Sequence, residues 1–199
     1  MYEMLSHIFY INLDSRTDRR EEIERELASM DLQGERFAAI KTSPGAFGCS
    51  LSHSAVLKLA KERGYPQVLI LEDDFQFLVS KEELNSFMNK FSDKEYDVIM
   101  VSYNMVASVP EGDFVRVKDA HTTSGYIVHS RFYDRLIENF DKGIPELMKT
   151  GKHWIYAIDQ YWKCLQPDAL WYAASPRIGK QRPSISDCGY EPVMVDHGC

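Results

Sequence analysis

Cysteine is scarce in this chain of 199 residues. The four present (Cys49, Cys164, Cys188 and Cys199) lie far apart, with no CxxC or other zinc-type spacing. That excludes a disulfide framework and a structural zinc motif, and it predicts reduced thiols in an intracellular protein. No apolar run approaches the ~20 residues of a spanning helix. The first residues, 1–7, lack the basic stretch and apolar core of a signal peptide. The expectation is a cytoplasmic protein with no transmembrane segment. Basic residues are in deficit, 23 against 30 acidic, for a formal charge of −7, and no long Lys/Arg run occurs. Such a surface repels a phosphate backbone, so nucleic acid is not an expected partner. GxSxG is also absent, which removes the nucleophile elbow of a Ser–His–Asp hydrolase.

What is present reads as one soluble globular domain with an α/β pattern. His7–Leu13 (HIFYINL) is an almost continuous apolar run, the mark of a strand covered on both faces. A charged helix follows over 16–30, burying Ile23 and Leu27, then a short strand at 37–40. A helix is predicted over 46–63, closed by Gly64 and Pro66. Val68–Leu71 (VLIL) is a second buried strand, leading directly into Glu72-Asp73-Asp74. Further elements are a helix at 81–91, a strand at 96–102, a strand fragment at 126–128, and helices at 131–140 and 155–165. A last strand falls at 170–173. Residues 103–123 read as irregular apart from a short strand near 114–117, and the segment after Ser175 shows no periodicity. Strand and helix alternate through the first hundred residues, which predicts a Rossmann-type, mostly parallel sheet flanked by helices. Ligands of such sheets bind at the carboxyl ends of the strands.

Two constellations sit at such ends, and a third opens the helix over 46–63. Glu72, Asp73 and Asp74 supply hard oxygen ligands suited to Mg²⁺ or Mn²⁺, ions that keep positions open for diphosphate oxygens. Pleat alternation would point Glu72 and Asp74 one way and Asp73 the other. Asn12, Asp14, Arg16, Arg19 and Arg20 lie where the first strand gives way to a helix, a place that favours anions. Gly48-Cys49-Ser50-Leu51-Ser52-His53 opens a helix with small residues beside a histidine, a pattern equally natural for tight packing around a satisfied imidazole. Each motif taken alone also fits a solvated turn, a capped charged helix or a packed core.

Their combination and order are more specific. INLDSRTDRR, then SPGAFGCSLSH, then VLILEDDFQF resembles glycosyltransferase family 25, which includes lipooligosaccharide and collagen hydroxylysine galactosyltransferases. The likeness continues through Thr122-Thr123-Ser124-Gly125-Tyr126, Ile158-Asp159-Gln160 and Pro183-Ser184-Ile185-Ser186-Asp187.

The resemblance implies a GT-A fold, with a nucleotide-sugar-binding catalytic domain over 1–175 and a tail, 176–199, that could close over the diphosphate. It implies a UDP-sugar donor, galactose or glucose, and Mn²⁺ or Mg²⁺ held by Glu72 and Asp74, with His197 as a further ligand. Asn12, Asp14, Arg19, Ser52, His53 and Asp73 would lie at the nucleotide pocket, and Lys180 and Arg182 would reach the diphosphate from the tail. The implied reaction is inverting. Asp159 would be the catalytic base, beside an acceptor-side wall of Trp154, Tyr156, Tyr161 and Trp162. The acceptor would be a glycan, a lipooligosaccharide or a hydroxylated peptide, and any membrane association would be peripheral, through that acceptor. The competing expectations are a metal-dependent phosphoesterase or nucleotide-sugar hydrolase using the same acidic cluster, and a catalytically inactive binding module.

Overall fold

The structure is a computed structural model that describes residues 3–186 and 193–195. Strand β1 (Ile8–Asn12) is buried along its whole length. Helix α1 (Thr17–Ser29) carries the chain to β2 (Glu35–Ala38), and α2 (Gly45–Glu62) carries it back across to β3 (Gln67–Glu72). A tight turn through Asp73 and Asp74 leads to the short β4 (Phe75–Phe77), then α3 (Lys81–Asn89) and β5 (Val98–Met100). A hairpin of β6 (Asn104–Glu111) and β7 (Phe114–His121) precedes β8 (Gly125–His129) and the long helix α4 (Tyr133–Thr150). Two single-turn helices follow, α5 (His153–Tyr156) and α6 (Ile158–Tyr161), and then a 3-10 turn at Trp162–Leu165. The last elements are β9 (Trp171–Ala174), β10 (Gly179–Gln181), and a small hairpin of β11 (Ser184–Ser186) and β12 (Val193–Val195).

The main sheet has eight strands in the order β2-β1-β3-β8-β5-β9-β7-β6. β1 runs parallel to both β2 and β3, and β5 runs parallel to β9, whereas β8 is antiparallel to the β3 and β5 it separates. The expected α/β sheet flanked by helices is therefore present, with the parallel part centred on β1. Side-chain alternation divides the core between the two faces. Phe9, Val68 and Ile70 pack with α2 and α4 on one face. Ile8, Tyr10, Leu69 and Leu71 pack with α1 and α3 on the other. This double coverage is why the strands read as unbroken apolar runs.

The chain leaves β1 toward β2 and leaves β3 toward the opposite half of the sheet. Adjacent strands whose connections part in this way open a crevice at their carboxyl ends, where ligands of open α/β sheets bind. Asn12 ends β1 beside Glu72, which ends β3.

The second half departs from the sequence expectation in identifiable ways. The stretch expected to be irregular is the β6–β7 hairpin. β6 forms the sheet edge, is exposed along most of its length and contains Pro110, so it carries no buried alternation to betray it. The helix expected over 131–140 extends to Thr150 despite Gly143 and Pro145. Leu136, Phe140, Ile144 and Leu147 continue one buried stripe through that region. Gly143 is required there, since a Cβ would sit 2.6 Å from the Tyr161 ring. The helix expected over 155–165 is broken into the short turns just named. The aperiodic tail contributes β10, which pairs with β4.

α2 is fixed against the segment after β2 by short polar contacts. Ser52 Oγ donates to the Gly48 carbonyl at 2.6 Å and accepts from the Ile40 amide at 2.8 Å. A Cβ on Gly48 would lie 2.0 Å from the Ile40 carbonyl oxygen. Gly48→Ala must therefore push backbone from backbone, and it is expected to cost about 1–3 kcal/mol as an overpacked site. Denaturant titration checks this; an unchanged midpoint would show that the approach is looser than drawn.

Candidate active site

The crevice at the carboxyl ends of β1 and β3 deepens into a pocket. Its floor is Glu72, Asp73 and Asp74, its walls include Arg19, Cys49 and His53, and Lys41, Thr42 and Gln181 reach it from flanking segments. Asp73 and Asp74 are almost wholly buried. Burying consecutive carboxylates requires local positive charge or hydrogen bonds, and α1 delivers both. Arg19 Nη1 lies 3.1 Å from Asp73 Oδ1 and 3.4 Å from Asp74 Oδ2. Asn12 Nδ2 donates to Asp73 Oδ2 at 2.8 Å. Gln181 Nε2 donates to Asp74 Oδ2 at 3.1 Å, and the Arg182 amide donates to the Asp74 carbonyl at 2.7 Å.

Glu72 faces other partners. Thr123 Oγ1 donates to its Oε1 at 2.5 Å, and His53 Nε2 stands 3.4 Å from the same oxygen. The alternation expected to set Glu72 with Asp74 against Asp73 does not hold, because the strand ends at Glu72 and the next two residues form the turn. Arg19 instead groups Asp73 with Asp74.

These surroundings move the carboxyl pKa values apart. Burial first, then the Glu72 charge, pushes Asp74 up to about 7 despite Arg19. Burial also raises Asp73, against the pull of Arg19 and Asn12. Burial would raise Glu72 too, but His53 and Thr123 outweigh it and hold that group below its ordinary range. The cluster thus carries more negative charge than its one guanidinium balances. Asp74 Oδ1 is buried and accepts no hydrogen bond from a described residue.

Other expected site residues fall in varied places. Asn12 is buried and fully engaged, donating to Asp73 and to the Arg16 carbonyl while accepting from Arg36. It steadies the cluster and does not line the pocket. Asp14 is exposed and pairs with Arg36 at 2.5 Å. Ser52 is buried in the α2 contacts already described. His53 is fully buried, its Nδ1 2.9 Å from the Tyr126 hydroxyl. Lys180 lies on β10 opposite Gln76, outside the pocket lining. The Arg182 guanidinium lies on Glu22 and Glu26 of α1. His197 lies outside the described residues.

Asp159 stands behind the turn between β7 and β8. Its Oδ2 accepts from the Thr122 amide at 3.2 Å and lies 3.9 Å from His121 Nδ1. Burial raises its pKa, opposed by that amide and His121. The turn it supports is the one whose Thr123 reaches Glu72, so Asp159 and the acidic cluster flank one strap without sharing the pocket lining. Trp162 cannot belong to an acceptor-side wall. It is fully buried between Tyr126 and Trp171. Trp154 is 61% exposed and Tyr156 packs on Tyr161.

The sequence reading passed over three contributors. Gln181 was hidden in the aperiodic tail. Thr123 and Tyr126 were visible only as part of the Thr122–Tyr126 motif, without a role. Gly125 within that motif has a clear one: a Cβ there would lie 2.7 Å from both Phe75 and Val101.

The model of glycosyltransferase family 25 (LPS biosynthesis protein) matches residues 41–162, a span holding α2, the acidic cluster and Asp159. Among solved structures, a glycosyltransferase involved in the glycosylation of the major capsid of PBCV-1 shares the fold. The two superpose with a TM-score of 0.54 at 13% identity, over 91% of this chain and 94% of that one. Weaker likenesses are to the glycosyltransferase GlyE of Streptococcus pneumoniae TIGR4 and to A197 from STIV. GlyE gives a TM-score of 0.48 at 12% identity, over 84% of this chain and 37% of that one. A197 gives 0.46 at 11% identity, over 96% and 98%. No curated protein matches the sequence. Among the described residues no helix is long and apolar enough to cross a membrane.

A raised carboxyl pKa means that the folded state binds its proton more tightly than the unfolded state does. Asp74, at about 7 against an ordinary value of about 3.9, therefore makes stability fall as pH rises across that interval and level off above it. Unfolding free energies measured in EDTA from pH 4 to 8 are expected to show this decline, and Asp74→Asn to lessen it. The same slope in the variant would acquit Asp74.

Proposed function

The chain belongs to glycosyltransferase family 25, and on that premise we propose that it transfers a hexose, galactose or glucose, from a UDP-sugar to a hydroxyl acceptor with inversion. The observation that carries the reading is the charge surplus at the end of β3. With the three carboxyl groups ionised and His53 uncharged, Arg19 offsets one of three negative charges, leaving two in a crevice suited to a nucleotide.

A divalent cation fits this donor set. The ligands are hard oxygens, the buried Asp74 Oδ1 has no hydrogen-bond partner among the described residues, and the raised Asp74 pKa reflects burial first and the Glu72 charge second, both of which a bound cation offsets. Glu72 and Asp74 would hold Mn²⁺ or Mg²⁺, which would supply charge stabilisation to the departing diphosphate. Arg19 holds Asp73 and Asp74 in place, and Asn12 fixes Asp73 from below.

Asp159 serves as the base. Its carboxylate takes the acceptor hydroxyl proton as the oxygen bonds to the anomeric carbon, and the sugar–phosphate bond breaks with its electron pair leaving on UDP. Burial lifts its proton affinity, which strengthens it as a proton acceptor. Trp154 and Tyr156, on the same short-helix segment, offer an aromatic surface to a glycan, lipooligosaccharide or hydroxylated peptide.

Two measurements test this reading. UDP-galactose or UDP-glucose with Mn²⁺ is expected to raise the melting temperature, and Asp74→Asn to lose the manganese-dependent part of the rise. No stabilisation by any UDP-sugar, with or without metal, would overturn the donor assignment. Asp159→Asn is expected to keep UDP binding while turnover falls by roughly 10²–10⁴-fold, the usual worth of a general base; near-normal turnover would remove it from that role.

A further inference from the structure

The wall of the pocket carries two donors, Cys49 and His53, that the transfer reaction leaves unused, and they stand beside Glu72. Cys49 and His53 are four residues apart on α2, so they project from one face of the helix. Glu72, at the end of β3, faces them. The Cys49 Sγ, a His53 imidazole nitrogen and a Glu72 carboxylate oxygen all lie within 4.8 Å of one another. All three residues border the pocket.

The independent pointer is His53. The ring is fully buried, yet its Nε2 makes no hydrogen bond among the described residues, and the nearest acceptor, Glu72 Oε1, stands off at 3.4 Å. A buried imidazole nitrogen without a partner is costly unless something takes its lone pair or its proton. The other nitrogen, Nδ1, lies 2.9 Å from the Tyr126 hydroxyl. In the tautomer that donates from Nδ1 to that oxygen, the Nε2 lone pair is turned toward Glu72; a cation there takes the place of the proton that Nε2 otherwise shares with that carboxylate. A hydrogen bond on the far nitrogen is how metal-bound histidines are oriented.

We propose that Cys49, His53 and Glu72 form a site for a borderline-soft divalent cation of the Zn²⁺ type, with its fourth position open to the pocket. The ligand chemistry separates it from the oxygen-only set around Asp74: thiolate and imidazole select zinc or cobalt over magnesium. Thiolate and carboxylate together neutralise the ion. Tetrahedral zinc with bonds of about 2.0–2.3 Å holds its donors roughly 3.3–3.8 Å apart. The His53–Glu72 separation of 3.4 Å already falls in that range, and no pair exceeds 4.8 Å, so the widest closes by at most roughly 1.5 Å. Three protein ligands with a vacant fourth position are the pattern of a site that accepts a small ligand or water, not of a closed structural one.

Co²⁺ reports such a site directly. The test is its titration into EDTA-stripped, reduced protein carrying Cys164→Ser, Cys188→Ser and Cys199→Ser, so that Cys49 is the one remaining thiol. The expected result is one equivalent giving a thiolate-to-cobalt charge-transfer band and intense tetrahedral visible bands, both erased by stoichiometric Zn²⁺. Adding Cys49→Ser should abolish the charge-transfer band, His53→Gln should weaken binding at least tenfold, and Asp74→Asn should leave the spectrum intact. Circular dichroism confirms that each variant is folded. Should His53→Gln fail to fold, zinc-edge X-ray absorption on the parent decides, one sulfur with nitrogen and oxygen neighbours being expected. No charge-transfer band in folded protein, a band that survives Cys49→Ser, or one lost in Asp74→Asn would overturn the proposal. The site does not rest on the UDP-sugar reading. On the same protein, a cobalt band without a melting-temperature rise by UDP-sugar and Mn²⁺, or the rise without the band, shows which of the two assignments fails.

Discussion

The pocket depends on one buried guanidinium. Three consecutive carboxylates at the end of a covered strand would repel one another strongly where the effective dielectric is low, and isolated burial of each would cost several kcal/mol. Arg19 relieves two of them at once, and Asn12 adds a neutral donor from the neighbouring strand end. The compensation is partial. One guanidinium cannot neutralise three carboxylates, and Asp74 retains a high proton affinity even with Arg19 beside it. The site is stable enough to form and still electrostatically unsatisfied.

The remaining parts hold that arrangement in register. Glu72 is fixed by the strap between β7 and β8: its amide donates to the Ser124 carbonyl and its carboxylate accepts from Thr123. β8 is inserted antiparallel between β3 and β5, which brings this strap to the same sheet end as the carboxyl terminus of β3. On the other side α2 closes the wall, held near the segment after β2 by Ser52 and by the absence of a side chain at Gly48.

Much of this was legible in the sequence, for physical reasons. β1 and β3 are covered on both faces, so they appear as apolar runs, and a polar cluster directly after such a run must lie at a sheet end. The β6–β7 hairpin was hidden because an exposed edge strand carries no apolar period, and the length of α4 because Gly143 serves a neighbour's ring rather than a helix end. Trp162 looked like an acceptor-side ring because an aromatic's burial depends on partners far away in sequence, here Tyr126 and Trp171. The roles of Asn12 and Gln181 share that origin: each is defined by one long-range hydrogen bond to the acidic turn.

The pairing of β10 with β4 has a consequence in time. Gln181 meets Asp74 across 107 residues of chain, and the two-stranded patch that places it is built on β4, the strand immediately after the acidic cluster. Contacts that span so much sequence form late, because the intervening loop must be shortened by other structure before its closure becomes favourable. During synthesis the carboxylates therefore exist before the segment that completes their enclosure. The nascent sheet presents them to solvent and to ambient ions, and the pocket takes its final shape only once β10 has docked.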